Sequence, residues 1–550
     1  MPFTDKIPSG IAFAILCAVS IIAGCNKSLD EIPLSNLSNV TVLKDSIGFE
    51  SYITALVQGA RDEFTNSDGI NHNFNMQMGT DVATTGSPTI APFRNYETYL
   101  TPNQVVVNFY WNWAYSTMLL RANTIIAYAS APEAASYWKT EASRNAVIAE
   151  ARFFRGYTFN VLANLYGGVP IVDTIYSAPK TDFVRSTRRQ VYEQAAKDLE
   201  FAAQWLPVTV PKTKEGRIVK AAADHLLSEV YISLGDYDKS IQAAGKVINS
   251  GGLYTLMTAR FGTDRNKPGD VYSDLFKFGN QNRSSGNLES IYVLQIEDQT
   301  PGGQGGTLGN NNLRGWSPFY SGGAIRAPDG KVGFLLADSI GRGVGWIRPN
   351  SYFFYDIWRN NESNDMRNSP YNIRRTFVYN NPATSFFGQV VEPRTAFDDT
   401  MFYLYPVIRK VEGPTPKSGD LTTGRTFNDM IVYRLAETYL LRAEAYLRKG
   451  DADKAKDDIN AVRARANAKL ITAADVTLDF ILDERARELI VEEPRRRTLC
   501  RMGNLVERVK KYNLRLDTRS SIQEKHLFFP IPQSAIDANF SAKLEQNNGY

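Results

Sequence analysis

The stretch EVYISLGDYDKSI, residues 229–241, recurs as EAYLRKGDADKAK at residues 444–456. In both copies a Gly-Asp pair, at 235–236 and at 450–451, separates two amphipathic runs. Glycine at such a place favours a left-handed helix end, and the aspartate side chain can cap the first turn of the next helix. Each copy is therefore predicted to form a helix-turn-helix pair.

These pairs have the chemistry of tetratricopeptide repeats, because small residues such as Ala436, Ala443 and Ala445 let paired helices approach closely. The two copies lie far apart in the chain instead of in tandem. We therefore predict a mainly α-helical protein in which scattered helical pairs assemble one scaffold, and not a regular solenoid.

Further helical periodicity surrounds the first copy. Apolar residues recur at helical spacing over 104–129, 141–166 and 191–206, and glycine or proline follows the last two segments. All three are predicted to be helices with a buried face. Trp111 and Trp113 lie two positions apart on the first helix and face different ways, so at least one is expected in the core.

The region between about residues 262 and 428 has a different character. Glycine, asparagine, proline and aromatic residues are frequent there, and helical periodicity fades. Two short runs, SIYVLQIE at 290–297 and FYLYPVIRKVE at 402–412, are predicted to be isolated strands. Loops of this length are usually functional or disordered, and the many aromatic residues favour an ordered, functional insertion.

An apolar run, GIAFAILCAVSIIAGC at residues 10–25, indicates export. It is too short to span a bilayer as a helix but suits a secretory signal. The small residues before Cys25 resemble the bacterial lipobox, in which the cysteine becomes the lipidated first residue. We predict a signal peptide over 1–24 and palmitate on Cys25; the alternative is an ordinary signal with an incidental cysteine.

A polar stretch follows the cysteine and contains Pro33 without helical periodicity, so residues 25–40 are predicted to be a tether. Asp30 and Glu31 resemble an acidic signal for display on the outer face of the cell, although a solvated linker would look the same. Of the three cysteines only Cys500 would remain free, which excludes an intramolecular disulfide in the mature chain.

Charge and hydropathy bear on two possible surroundings of the chain, nucleic acid and the membrane interior. The net charge of +4 over 550 residues gives no reason to expect nucleic acid. After Cys25 the sequence contains no apolar run near eighteen residues, so no membrane-spanning helix is predicted there.

Four segments together resemble the SusD/RagB family of outer-membrane nutrient-binding lipoproteins. They are AEARFFRGYTFNVLANLYGGVPIV (149–172), AETYLLRAEAYLRKGDADKAKDDINAVRARA (436–466), LDERARELIVEEPRRRTLCRMG (482–503) and HLFFPIPQSAIDANFSAKLEQNNGY (526–550). The chain departs from the family at Glu493-Pro494, where Glu-Gly is frequent. The resemblance implies one SusD-like domain over 41–550, with helical parts at 41–260 and 429–550 and a loop-rich insertion at 261–428.

Catalytic motifs are scarce. Glu484, Glu488 and Glu492 lie at four-residue steps beside several arginines, so structural ion pairs explain them better than acid-base catalysis. The three histidines, His72, His225 and His526, belong to no metal-binding or triad motif, and neither GxSxG nor a P-loop is present. We therefore expect no enzyme, no cofactor and no metal.

In the family, carbohydrate binders use exposed aromatic residues with polar neighbours, drawn from the loop before the first long helix and from the mid-chain insertion. By region and residue type, this resemblance indicates the following candidate ligand-binding residues: Asp81, Arg94, Tyr96, Trp316, Tyr320 and Trp346. Sugar rings stack on aromatic faces, while sugar hydroxyls need polar partners.

The function that the resemblance implies is capture and delivery. A SusD-like protein is held by its lipid in the outer membrane, facing the exterior, and acts as a lid over a SusC-like TonB-dependent transporter. Its nutrient would be an oligosaccharide or polysaccharide. Two alternatives remain: a peptide-uptake lid of RagB type, and an enzyme acting on surface glycans.

Overall fold

The computed structural model describes residues 39–65, 72–303, 309–321, 323–337, 340–359, 364–396, 399–414 and 416–550. The predicted signal peptide, Cys25 and the tether up to residue 38 lie outside the described residues, as does the side chain of His72. Within the described ranges, none of the helices combines the length and the apolar character that crossing a bilayer requires.

Helices dominate the described part of the chain, as the sequence predicts. The α-helices are Asn39–Val42, Ser46–Thr65, Tyr96–Tyr99, Val105–Asn112, Leu120–Ser130, Glu141–Leu165, Arg188–Trp205, Lys220–Leu234, Tyr237–Ile248, Val271–Asp274, Asn312–Trp316, Ser351–Phe354, Leu435–Arg448, Ala452–Arg465, Leu478–Leu489, Arg495–Met502, Leu505–Tyr512, Leu516–Ser521 and Gln533–Ala538. Two π-helical segments, Trp113–Leu119 and Asp399–Tyr403, accompany them.

Both repeats form the predicted helix pairs. The first pair is Lys220–Leu234 with Tyr237–Ile248, and the second is Leu435–Arg448 with Ala452–Arg465. The linking glycines are left-handed, with φ of 80° and 90° in the first and second pair. In each pair the aspartate after the glycine accepts a hydrogen bond from a backbone N–H three residues on, at 3.3 and 3.1 Å. The predicted cap chemistry is confirmed.

The two pairs are direct neighbours in space. The helix Tyr237–Ile248 packs along Leu435–Arg448, and Ile232 of the first pair contacts Leu441 and Ala445 of the second in a buried apolar cluster. One scaffold built from pairs distant in sequence is confirmed. The insertion between them leaves the helical stack and returns to it.

The helix Glu141–Leu165 is the central element of the N-terminal half. Thr140 caps its first turn by accepting from the backbone N–H of Ser143 at 3.1 Å, and most of its residues are buried. It packs against Arg188–Trp205 and against the segment over 105–130. That segment, predicted as one helix, is interrupted by the π-helical stretch Trp113–Leu119.

Six short strands form three antiparallel pairs in the described residues. β1 (Ala83–Thr85) pairs with β3 (Ile347–Pro349), with Ala83 opposite Pro349; β2 (Ser290–Leu294) pairs with β6 (Met430–Arg434); β4 (Ile373–Arg374) pairs with β5 (Val407–Ile408). The β2–β6 pair joins the first part of the insertion to the strand that begins just after residue 428.

The outcome for the two predicted strands differs. The run over 290–297 contains β2 and is confirmed. The run over 402–412 is mostly not a strand, because Phe402 and Tyr403 lie in a π-helical segment and only Val407–Ile408 pairs in a ladder. Pro406 has no N–H to donate, and the two aromatic rings pack together instead of alternating between faces. The division into 41–260, 261–428 and 429–550 stays a prediction.

The β1–β3 pair brings the loop after residue 85 against the insertion. The N–H of Gly86 donates to the carbonyl of Trp346 at 3.0 Å. A Cβ on Gly86 would lie 2.6 Å from the carbonyl oxygen of Gly345 and 2.9 Å from that of Met401, so only glycine permits this approach. Segments from three parts of the chain therefore meet at Gly86, Gly345 and Met401.

Candidate ligand-binding surface

Glu484 and Glu488 lie fully buried at the centre of an ion-pair network, which we call the arginine-carboxylate network. Its members are Glu289, Asp365, Arg367, Lys410, Arg434, Arg463, Arg465, Glu484, Arg487, Glu488 and Glu492. Arg367 contacts both glutamates at once, Glu484 at 2.7 Å and Glu488 at 3.0 Å. These contacts confirm the structural interpretation of the glutamates.

The pKa of Glu484 shows the same role. Burial by itself would raise it, but the charges of Arg367, Arg463 and Arg487 lower it to about 2. A carboxyl that is shielded from solvent and ionised throughout the neutral range is unsuited to general acid catalysis.

Asp81, predicted to bind ligand, is fully buried instead. Its carboxylate accepts from Arg495 at 2.9 and 2.6 Å and from Arg508 at 2.9 Å. Burial would raise its pKa, but these two guanidinium groups hold the pKa at about 2. Asp81 therefore anchors the N-terminal loop to the C-terminal helices and presents no atom to a ligand.

Tyr96 is also buried, and Arg94 is not. The Tyr96 hydroxyl donates to the carbonyl of Gly79 at 2.7 Å and accepts from Arg496 at 3.1 Å, so its polar atom is already used. Arg94 is half-buried and donates to the carbonyl of Ser87. Of the three residues predicted from the loop before the first long helix, only Arg94 stays within reach of a ligand.

Of the three aromatic residues predicted from the insertion, two are buried and one is half-buried. Trp316 and Tyr320 are 2% and 1% exposed, and the Tyr320 hydroxyl donates to the carbonyl of Gly341 at 2.5 Å. Both are core residues, which corrects the prediction: large aromatic rings next to a short helix bury more apolar area by turning inward. Trp346 is half-buried, with the guanidinium of Arg314 5.3 Å from the centre of its ring.

Three other aromatic residues form a half-buried group, which we call the aromatic platform: Phe319, Phe402 and Tyr403. The rings of Phe319 and Phe402 are stacked with centres 5.1 Å apart and an interplanar angle of 12°. Tyr403 packs on Phe402 at 4.9 Å, and the N–H of Phe319 donates to the carbonyl of Phe402 at 2.9 Å.

Sequence reasoning missed the aromatic platform for two reasons. Phe319 stands between Trp316 and Tyr320, and composition could not tell which of these neighbours turns outward. Phe402 and Tyr403 lie in the run over 402–412, whose sequence predicts a strand. The remaining signal was Gly345, since a Cβ there would lie 2.6 Å from the Phe402 ring, which is a close approach that only glycine allows.

A second group of side chains lies beside the loop at residues 422–425. We call it the arginine cluster, and its members are Arg314, Arg342 and Arg425. Arg314 donates to the carbonyl of Thr423 and Arg342 to that of Thr422, each at 2.7 Å. The N–H of Val344 donates to the carbonyl of Arg314 at 2.9 Å, and Gly345 follows against Phe402. Residues 342–346 thus connect the arginine cluster to the aromatic platform.

The residues that most often take part in catalysis are buried or dispersed in the described part of the chain. No group of three or more histidine, cysteine, aspartate or glutamate side chains is placed there to hold a metal. His225 is buried beside Thr438, with 2.8 Å between Nδ1 and the hydroxyl oxygen, and burial raises the pKa of the Cys500 thiol to about 11. His526 is buried, and burial lowers its pKa to about 4.

Two clefts lie on the helical scaffold away from the aromatic platform. One of about 750 Å³ is lined by charged residues of the first repeat pair, including Asp224, Lys239 and Lys246. The other, of about 350 Å³, is mainly apolar and includes Trp111. Trp111 and Trp113 are 8% and 4% exposed, which confirms that at least one of them is a core residue.

Comparison with known families agrees with this fold. The model of the SusD family matches residues 353–550, and the model described as "Starch-binding associating with outer membrane" matches residues 27–232. The chain belongs to the SusD/RagB family. A tetratricopeptide repeat model also matches residues 225–250 of this SusD family member, over the first repeat pair.

Individual relatives are distant. SusD-like protein P2 of Formosa agariphila is 26% identical over 64% of this chain and 62% of its own length. Starch-binding protein SusD of Bacteroides thetaiotaomicron is 36% identical over 22% of each chain. The chain thus matches less than two thirds of the length of either of these relatives.

A solved structure shows the same fold. It is surface glycan-binding protein A from Bacteroides thetaiotaomicron in complex with laminarihexaose, which is 21% identical. The two superpose with a TM-score of 0.69, covering 92% of this chain and all of that one.

Proposed function

We propose that this SusD family member is an outer-membrane lipoprotein that binds an oligosaccharide or polysaccharide at the aromatic platform. The aromatic platform carries this proposal, because the stacked, half-buried rings of Phe319 and Phe402, with Tyr403 inclined against both, offer the apolar surface that sugar rings need. Arg94 and Trp346, the half-buried residues among those predicted, would supply neighbouring contacts.

The names of related proteins support a glycan as ligand. One family model is described as starch-binding, and a structural neighbour was solved with laminarihexaose.

The proposal includes a lid role at the membrane. Lipid on Cys25 would hold the protein in the outer membrane facing the exterior, and residues 25–40 would allow it to swing over a SusC-like TonB-dependent transporter. Two tests address this part: Cys25→Ala is expected to move the protein out of the membrane fraction, and the wild-type chain is expected to co-purify with a TonB-dependent receptor encoded beside it.

Glycan binding is tested by native affinity electrophoresis and calorimetry with laminarin and amylopectin. Phe402→Ala is expected to weaken binding about tenfold, because it removes a stacking contact of about 1.4 kcal/mol. Phe387→Ala is the matched control, since Phe387 lies in the same insertion at 58% exposure, and it should bind as the wild type does. Equal affinities of both variants and wild type would reject the aromatic platform as the site.

The peptide and enzyme alternatives have distinct outcomes. Tight binding of peptides without binding of glycans would replace the glycan by a peptide as ligand. New reducing ends after incubation of the purified protein with a bound glycan would show hydrolysis and refute a purely binding function. We expect neither result.

A further inference from the structure

The arginine cluster brings three positive charges together at one loop. A Cβ on Gly424 would lie 3.2 Å from Cβ of Arg342 and 3.3 Å from Cβ of Arg314, and Arg425 is the next residue. Burial lowers the pKa of Arg314, and the neighbouring charges of Arg342 and Arg425 lower it further. Like charges this close repel, so their arrangement needs a reason.

No carboxylate among the described residues pairs with these three side chains. Arg314 and Arg342 donate to the uncharged carbonyls of Thr423 and Thr422. The nearby carboxylate of Asp420 accepts from the N–H of Thr422 at 2.8 Å and from its hydroxyl at 2.5 Å, and not from an arginine. The charge of Arg342 acts on Asp420 and lowers the pKa of that carboxyl, whereas no described carboxylate lies in contact with Arg314 or Arg425.

Several donors of the arginine cluster are also unused. Nε and Nη1 of Arg425 and Nε of Arg314 are shielded from solvent and have no hydrogen-bond partner within the described part of the chain. Buried polar groups without partners are costly and rare in folded proteins. Arg314, Arg342 and Arg425 are themselves only half-buried, so other parts of each side chain stay open to a ligand.

We propose that the arginine cluster binds the anionic group of an acidic glycan, a carboxylate or a sulfate ester, whose sugar rings extend onto the aromatic platform. Guanidinium groups match planar and tetrahedral oxyanions with paired N–H donors. Residues 342–346 connect the two surfaces, so one chain of sugars can contact both. This inference rests on the proposed function and narrows its ligand to acidic glycans.

The test uses native affinity electrophoresis of the purified chain with two matched pairs of polysaccharides. Dextran sulfate is paired with dextran, and polygalacturonate with its methyl ester; laminarin is run beside them as a neutral glycan. Arg314→Gln and Arg425→Gln are compared with Arg326→Gln, an exposed arginine of the same insertion that changes the net charge equally. Thermal unfolding checks that all three variants fold.

We expect retention by at least one anionic polysaccharide and not by its neutral partner. Arg314→Gln and Arg425→Gln should each lower this affinity about tenfold or more, and Arg326→Gln should not. Retention by dextran sulfate alone would identify a sulfate ester as the bound group, and retention by polygalacturonate alone a carboxylate.

Two results would overturn the inference. One is the absence of anion-dependent retention, and the other is retention that Arg314→Gln and Arg425→Gln leave unchanged, which would reflect general attraction of a basic chain to a polyanion. Binding of laminarin in either case would leave the proposed function standing. Binding of no glycan at all would remove both.

Discussion

Arginine serves opposite purposes in two regions of this molecule. In the arginine-carboxylate network each arginine contacts at least one buried carboxylate, and Arg367 contacts three. In the arginine cluster the guanidinium groups donate to loop carbonyls or to no described acceptor. Arginines held against buried carboxylates fix the geometry of a protein, whereas half-buried arginines without a carboxylate in contact are available to a ligand.

The largest expected effect on stability comes from a substitution in the arginine-carboxylate network. Arg367→Leu should lower the free energy of unfolding by about 3–5 kcal/mol, because it leaves Asp365, Glu484 and Glu488 buried with less compensating charge. Urea unfolding followed by circular dichroism measures this change, with Arg326→Gln as the surface control. A loss below about 1 kcal/mol would show that the network contributes little to stability.

Lowering the pH should reduce the free energy of unfolding through the buried carboxylates that pair with arginines. Glu484 and Asp81 have pKa values of about 2 in the folded protein, below their ordinary values of 4.5 and 3.8. As the pH falls, the unfolded chain binds protons first, so the free energy of unfolding falls between about pH 4.5 and pH 2. Urea midpoints at pH 7, 5, 4 and 3 measure this. Stability that stays constant down to pH 3 would contradict the pairing.

The variant Asp81→Asn isolates the contribution of Asp81 to the pH dependence of stability. Because this variant lacks the titrating group, its stability should fall less steeply over the same pH range, although it starts lower at pH 7. An equally steep fall would mean that the pKa of Asp81 is not lowered in the folded protein.

The smallest expected effect is in the arginine cluster. Arg425→Gln should change the free energy of unfolding by less than about 0.5 kcal/mol, or raise it slightly, because no described carboxylate loses a partner. The same urea experiment measures it beside Arg367→Leu. A loss of 2 kcal/mol or more would place Arg425 with the structural arginines and remove the contrast.

Sequence periodicity was sufficient for the scaffold. The Gly-Asp steps at 235–236 and 450–451 predict two helix pairs because left-handed glycine and the aspartate cap act locally, within a few residues. The four-residue spacing of Glu484 and Glu488 beside several arginines predicts ion pairs, and the structure confirms them. The run over 402–412 failed because apolar residues near a proline do not distinguish a strand from an irregular turn.

The sequence by itself thus determined the family and the helical pairs, because helix ends and caps act over a few residues, while the spacing of the glutamates indicated ion pairs without their distant partners. Only the tertiary structure decided which aromatic rings turn outward and which arginines lack a carboxylate. Trp316 and Phe319 are three positions apart in one loop-rich run, yet one is buried and the other half-exposed. Burial and charge compensation depend on partners hundreds of residues away, such as Asp81 with Arg495, and no local pattern encodes such pairings.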